Sequence, residues 1–546
     1  MYSPDAIASR SSMLPDAPTR RTVPPLDPAR DFKLFAKIDA EKQRRMPRWR
    51  RIFDLMMPDR QAFEMSKQAG QDPTKVVDSY PQYAIQRGIG KIITALFFGK
   101  WFDVEAGDEI PEEQHDDVNQ ALEWSRDVAF KAIDRSDFSS ELPAALLDVF
   151  AADGAMLVER GPNINEPVIC KTVPLNEQFP IAGAGGRRIG MMRKYECEAA
   201  SLEEEFGGYG RKLDIPQMVR DKVASDPAAK VCILEVTRTV PNVGQRLTVY
   251  LWDNKHVLLD HVGRDPDEPS RWVTGGWTKV AGEIFHRGPA DTALATCENF
   301  NFVMESKSKA TAKRIDPPLA VDVDANMNTN TLSLTPQAVV EYSSALLNGN
   351  PPFQGFPVDA LAIEYTREEI ASLKADIDRY LFARETLPSV PESHQMTAEE
   401  VRTRAQQTLR EEGADFSHLN SGQGFGPQFA SRLFWVLRTW GKVPPYLKFD
   451  GKLFVLRPAG PLASAQAADD ATNDIAFIGR MGALLGPEAM HLGIKTEDVP
   501  SIIGDKLNVS RGLIRGKDER EKMMQAAAQA LAAQQQAATA AQGQAA

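Results

Sequence analysis

Few residues in this chain of 546 stand at spacings that could do chemistry. His256 and His261 lie five apart in a stretch that reads as a strand, where alternate side chains face opposite ways, so they make poor partners for one metal ion. Glu112-Glu113 and Asp116-Asp117 could pair carboxylates, but a solvated helix face explains them better than a general acid and base. Gly90-Lys91 and Gly99-Lys100 lack the glycine spacing and the hydroxyl residue of a phosphate loop. Gly183-Ala184-Gly185-Gly186, followed by Arg187 and Arg188, sits between strands and reads as a hairpin turn rather than an anion nest. Gly422-Gln423-Gly424-Phe425-Gly426 follows no strand and reads as a link between helices. Neither GxSxG nor HExxH occurs. Cys170, Cys197, Cys232 and Cys297 are scattered, without a CxxC pair, as structural thiols of a reduced intracellular protein would be. The expectation is a chain without catalytic, cofactor-binding or metal residues.

Charge points the same way. Lys and Arg number 64 against 75 Asp and Glu, for a net charge of −11. Phosphate neutralisation supplies most of the affinity of tight nucleic-acid binders, so this balance argues against a repressor or a nuclease. One local exception is Arg44, Arg45, Arg48, Arg50 and Arg51, which form either a solvated helix face or a patch for phosphate or a partner. Composition is that of a soluble globular protein, with 42% hydrophobic and 25% charged residues. The longest strongly apolar run, Ile92 to Phe98, is far shorter than the ~20 residues of a membrane-spanning helix. No apolar signal core opens the chain.

The elements that would position such residues fall in a definite order. Residues 1–30 are proline-rich and read as a disordered arm. Helical patterns follow from Asp31, at about 83–98, 112–135 and 139–153, with Gly154 as a C-cap and a strand at Trp101 to Glu105. Strand signals then dominate to about residue 286, including Val231–Val236, Leu247–Trp252 and His256–Leu259 around an Asp253-Asn254-Lys255 turn. This is an α+β region with an antiparallel sheet. A helix over 289–314 carries Lys307, Lys309, Lys313 and Arg314, and Asp316-Pro317-Pro318 ends it. A proline- and asparagine-rich insert, 317–365, separates it from a second helix, 366–385, opened by the capping box Thr366/Glu369 and stopped by Pro388 and Pro391. A second box, Thr397/Glu400, opens another helix, and 428–440 has the spacing of a core helix. The last 80 residues are helical, with an Ala/Gln-rich end.

The run Met396-Thr397-Ala398-Glu399-Glu400-Val401 resembles the start of the long helix after the tunnel loop in portal proteins, the head-to-tail connectors, of short-tailed phages. Ile89 to Val104, Asp148 to Pro162, Val401 to Leu409, Gly512 to Arg515 and Glu519 to Met524 are similar to segments of that family. The resemblance implies a mainly α, α+β portal-type fold assembled as a ring. Its parts would be a wing at 31–288, a stem helix at 289–316, a clip at 317–365, a second stem helix at 366–386 and a tunnel loop at 387–396. A long wing helix with its return at 397–465, a helical crown at 466–524 and a tail at 525–546 would follow. It further implies twelve copies at one capsid vertex of the virion, assembled in the host cytoplasm, nucleating procapsid assembly and conducting the genome in and out. Partners would be the terminase large subunit, major capsid and scaffolding proteins, a tail adaptor, internal core or ejection proteins, and double-stranded DNA held weakly and without sequence preference. Lys307, Lys309, Lys313 and Arg314 would then lie near the channel or on a stem face against a neighbouring copy. Ser389, Ser393, His394 and Gln395 would offer neutral, exchangeable contacts to DNA. Two other readings stay open, a non-conducting scaffold or adaptor and a hydrolase of unrecognised type.

Overall fold

The computed structural model describes residues 23–58, 60, 76–107, 110, 115–183, 187–207, 213–226, 228–241, 243–263, 265–315, 319–321, 353–355, 360–384, 413, 415, 417–420, 422, 424–444, 447, 454–485, 499–506 and 523. The chain divides into two compact units, one of residues 1–49, 87–291 and 385–546, the other of 50–86 and 292–384. Helices α1 (Pro28–Met56) and α2 (Tyr80–Leu96) each contribute to both.

The first unit carries the sheets, and every strand pair is antiparallel. In chain order it holds β1 (Phe102–Ala106), α3 (His115–Ile133), α4 (Phe138–Ala151), β2 (Asp153–Arg160), β3 (Val168–Val173), β4 (Gln178–Ala182) and β5 (Arg188–Glu198). Then come α5 (Leu202–Phe206), α6 (Gln217–Ser225), β6 (Lys230–Val240), β7 (Gly244–Leu251), β8 (His256–Val262) and β9 (Trp272–Gly276). Strands β4 to β8 form one five-stranded meander, and β2 lies between β3 and β9 in a second sheet. Alternation builds the meander's core: Ile233, Leu247, Val249 and Leu251 point to one face and meet Leu202 and Phe206. Strands β4 and β5, on either side of the glycine-rich stretch, pair antiparallel, and Gly183 N–H donates to the Arg187 carbonyl at 2.8 Å.

Two expectations change here. Gly154 is not a C-cap but a residue of β2, because α4 ends at Ala151. A Cβ on it would sit 2.4 Å from the Ala145 carbonyl oxygen, so glycine is what lets β2 lie against α4. His256 and His261 do not point to opposite faces either. A bulge in β8 shifts the register so that they pair with Leu251 and Leu247, two positions of one face of β7. Those partners are still four strand steps apart, about 13 Å at ~3.3 Å per residue, too far for one metal.

An aromatic cluster fills the rest of this unit. Trp101, Phe102, Phe138 and Phe130 pack on Phe429 and Phe434 of α9 (Phe425–Thr439), with the Phe138 and Phe429 centroids 4.2 Å apart. The core helix expected at 428–440 is therefore present and starts three residues earlier, with Gly424 as its N-cap. Strand β12 (Phe454–Pro458) pairs with β1, and α10 (Pro461–Leu485) and α11 (Val499–Lys506) follow.

The outer strands of the second sheet are covered by side chains. On β9 the Gln428 amide bonds both the N–H and the carbonyl of Thr274, at 3.0 and 2.9 Å, and Ser270 Oγ accepts from Trp272 N–H. On β3 the Glu141 carboxylate accepts from Thr172 N–H at 2.7 Å.

The second unit is helical, built on most of α7 (Pro289–Ile315) and on α8 (Ala360–Tyr380), with a short strand pair, β10 (Leu319–Val321) and β11 (Phe353–Gly355). Helix α8 starts six residues before the predicted box, so Thr366 lies inside it and does not cap it. Ala360-Leu361-Ala362-Ile363-Glu364 are good or tolerable helix residues with nothing to break the pattern. It also stops well before Pro388. Phe382 takes a left-handed conformation (φ 57°), and Ala383 N–H donates to the Asp378 carbonyl at 2.8 Å, a helix-terminating turn. The expected tunnel loop at 387–396, the helix opened by Thr397 and the Ala/Gln-rich tail lie outside the described residues.

Candidate nucleic-acid interface

The candidate DNA-facing cations sit on the second half of α7, and the pattern of burial along that helix explains their setting. Ala293, Leu294, Cys297, Phe300 and Val303 recur at intervals of three and four and are buried. Beyond Val303 the described side chains of α7 are half-buried or exposed, ending in Ile315 at 80% exposure. Lys307 is half-buried and Lys309 exposed. Lys309 bonds Glu305 one turn back at 2.6 Å, so its charge is partly answered within its own helix. At 100° per residue, positions 307 and 314 share one stripe, and 309 and 313 share another on the far side. A single straight helix therefore cannot turn all four positions to one surface. Ser389, Ser393, His394 and Gln395 lie outside the described residues.

The root of α7 is fixed by groups that sequence patterns do not reveal. Thr278 and Arg287 exchange backbone hydrogen bonds at 3.0 and 2.9 Å. Buried Asp153, at the start of β2, accepts from Arg188 and meets His286 Nδ1 at 2.6 Å. Burial alone would raise the Asp153 pKa, but Arg188 and His286 outweigh it and hold the carboxyl below its ordinary range. Gly276 makes room for this triad, since a Cβ there would lie within 2.6 Å of both His286 and Asp153. At Gly288 a Cβ would approach the Phe150 carbonyl oxygen to 1.9 Å. The glycines at 275–276 and 288 were the one sequence signal that could have marked this junction.

Other buried charges surround α1 in the same unit. The Lys42 ammonium donates to the carbonyls of Asn176 and Gln178 at 2.6 and 3.0 Å and lies 3.8 Å from the Phe179 ring centroid. Burial lowers its pKa to about 7, against the pull of Asp39 and Glu177. Asp31 bonds Arg238 and accepts from the Tyr250 hydroxyl at 2.8 Å. Of the arginine cluster, Arg45 pairs with Glu283 and Arg48 with Asp291 in the first unit, and Arg51 pairs with Glu298 in the second. These three arginines tie α1 to its own fold and are not a free phosphate patch.

Among the described residues no group of three or more His, Cys, Asp or Glu side chains could hold a metal ion. No helix among them is long and apolar enough to cross a membrane. Residues 32–514 match the family model of the bacteriophage head to tail connecting protein. Among solved structures, a chain from the neck of an empty gene transfer agent particle, computed with C6 symmetry, aligns at 10% identity and a TM-score of 0.34, over 78% of this chain and 90% of that one. A chain from the virion of a native gene transfer agent particle aligns at 10% identity and a TM-score of 0.30, over 76% of this chain and 93% of that one. No curated protein matches by sequence.

Proposed function

We propose, for a chain that belongs to the bacteriophage head to tail connecting protein family, that copies of it close into a ring at one capsid vertex and conduct double-stranded DNA between head and tail. The family match across residues 32–514 is the observation that carries this reading. The ring would nucleate procapsid assembly, dock the terminase large subunit during packaging, and later hold the tail adaptor. Major capsid, scaffolding and internal core or ejection proteins complete its partners. The motor's ATP chemistry would belong to a separate chain.

The charge distribution supports a conduit that does not grip. Each added phosphate contact in a ring would be multiplied by the number of copies, and a strongly basic lining would stall sliding DNA. A net charge of −11, with Lys309 answered by Glu305, keeps such contacts sparse. Lys307, Lys309, Lys313 and Arg314 would then lie near the channel or the clip junction, or on a stem face against a neighbouring copy. Ser389, Ser393, His394 and Gln395 would touch DNA at a constriction.

Mass photometry with negative-stain imaging tests the reading. Twelve copies of 60.3 kDa give a ring of about 720 kDa with a central hole. A chain that stays monomeric at high concentration and with scaffolding protein present would overturn it and return attention to a hydrolase or an adaptor. Deleting 388–395 should leave rings intact and impair packaging of full-length DNA.

A further inference from the structure

A cleft of about 530 Å³ opens beside α1 in the first unit, walled by Arg44, Arg45, Arg48, Arg287, Glu283 and Asp291. Its charges do not balance. Glu283 answers two guanidinium groups at once, Arg45 and Arg287, the latter at 2.9 Å. Arg48 is taken by Asp291, through both its carboxylate and, at 2.7 Å, its backbone carbonyl. The remaining acid of the wall, Glu41, accepts from the Ile284 backbone N–H at 2.8 Å. Arg44 is exposed on the rim and makes no ion pair among the described residues. Four guanidinium groups thus face three carboxylates, one of which serves the backbone, and the cleft is left one negative charge short.

The wall also says which anion suits it. A DNA strand brings a row of phosphates, and Glu41, Glu283 and Asp291 would repel all but the first. A single carboxylate side chain would instead extend the existing alternation of charges and bond the planar Arg44 fork in bidentate fashion. Copies of this chain carry carboxylates in excess, 75 acidic against 64 basic residues, including exposed Glu203 and Glu204 on α5. We propose that Arg44 and this cleft receive a carboxylate from a second copy of the chain, in a head-to-tail contact of the kind that closes a ring. The inference rests on the ring reading and adds a surface and a polarity to it.

The test uses the full-length chain with a photo-crosslinking amino acid at Ala40, an exposed position one turn before Arg44. Illumination of assembled protein should give covalent multimers, with the crosslinked peptide of the second copy containing Asp or Glu. In parallel, Arg44→Glu and Arg44→Gln should raise the concentration needed for assembly by about tenfold or more for the reversal and less for the neutral change, with thermal melting unchanged. Rings that form without self-crosslinks, and at the wild-type concentration in Arg44→Glu, would overturn the inference while leaving the ring reading standing. Wild-type chain that never assembles would bring down both. Crosslinks to a capsid or tail protein in particles, or loss of duplex-DNA retention in Arg44→Glu with assembly intact, would reassign the cleft and overturn the proposal.

Discussion

The two units keep their charges in different places. All the buried charged residues among the described ones, Lys42, Asp153, Arg193, Glu235 and Arg432 among them, lie in the first unit. There they are paired across elements: Arg432 reaches Glu268 at 2.8 Å and the Val158 carbonyl at 3.1 Å, and Arg271 bridges Glu159 and Glu235. The second unit buries apolar side chains, Phe300, Ile377 and Leu381 among them, and carries polar links such as that between Tyr80 and Asp378. The contrast separates two ways of specifying structure. A buried ion pair adds little net stability, but removing one partner strands the other charge away from water. Surface links can be exchanged at small cost.

Four substitutions would break or sharpen that contrast. Asp153→Ala should have the largest effect, a loss of about 3–5 kcal/mol in urea unfolding, because Arg188 and His286 lose their shared acceptor. The depressed Asp153 pKa also has a pH signature. Its contribution is complete above the unfolded-state value of about 4 and is lost as pH falls through the lower folded value, a slope that should vanish in the variant. A loss below about 1 kcal/mol would mean the triad is dispensable.

Lys42→Met comes next, at about 2 kcal/mol, since the carbonyls of Asn176 and Gln178 lose their donor. The sign is the same as for Asp153, in a window at higher pH. The folded state sheds the Lys42 proton above about 7, whereas the unfolded chain keeps it to about 10, so wild-type stability should rise relative to the variant between those values. A pH-independent difference would contradict the assigned burial.

Tyr80→Phe tests the second unit, where the Tyr80 hydroxyl donates to Asp378 at 2.7 Å. A loss near 1 kcal/mol is expected, and a loss as large as that of Asp153→Ala would erase the contrast. Lys309→Ala should be smallest, within about 0.5 kcal/mol, because its pair with Glu305 is exposed. Under the proposed function, packaged genome length measured separately in this variant would report on position rather than stability.

Much of the fold was legible because it rests on periodicity. The apolar runs of β6 and β7, the apolar spacing of α9 and the helix from residue 289 all follow from which positions must leave water. Boundaries were legible only where nothing competed. Thr366 had the residue types of a cap, but a cap forms only where the preceding turn is not helical, and Ala360 to Glu364 continue the helix backwards. Pro388 would stop a helix, yet Phe382 had already done so by its backbone conformation. The buried pairs were not legible, since Asp153 and His286 are 133 residues apart and nothing in either neighbourhood names the other. Lys307 and Lys309 were legible as charges on a helix, whereas the pairing of Lys309 with Glu305 needed the structure.

Covering the outer strands of the second sheet has a consequence wherever many copies of this chain are crowded together. Gln428 and Glu141 occupy backbone groups that another chain's strand would otherwise use. Through this sheet, crowded copies are denied a sequence-blind backbone route to one another, and a meeting there must go through side chains, where a wrong pairing can dissociate and be tried again.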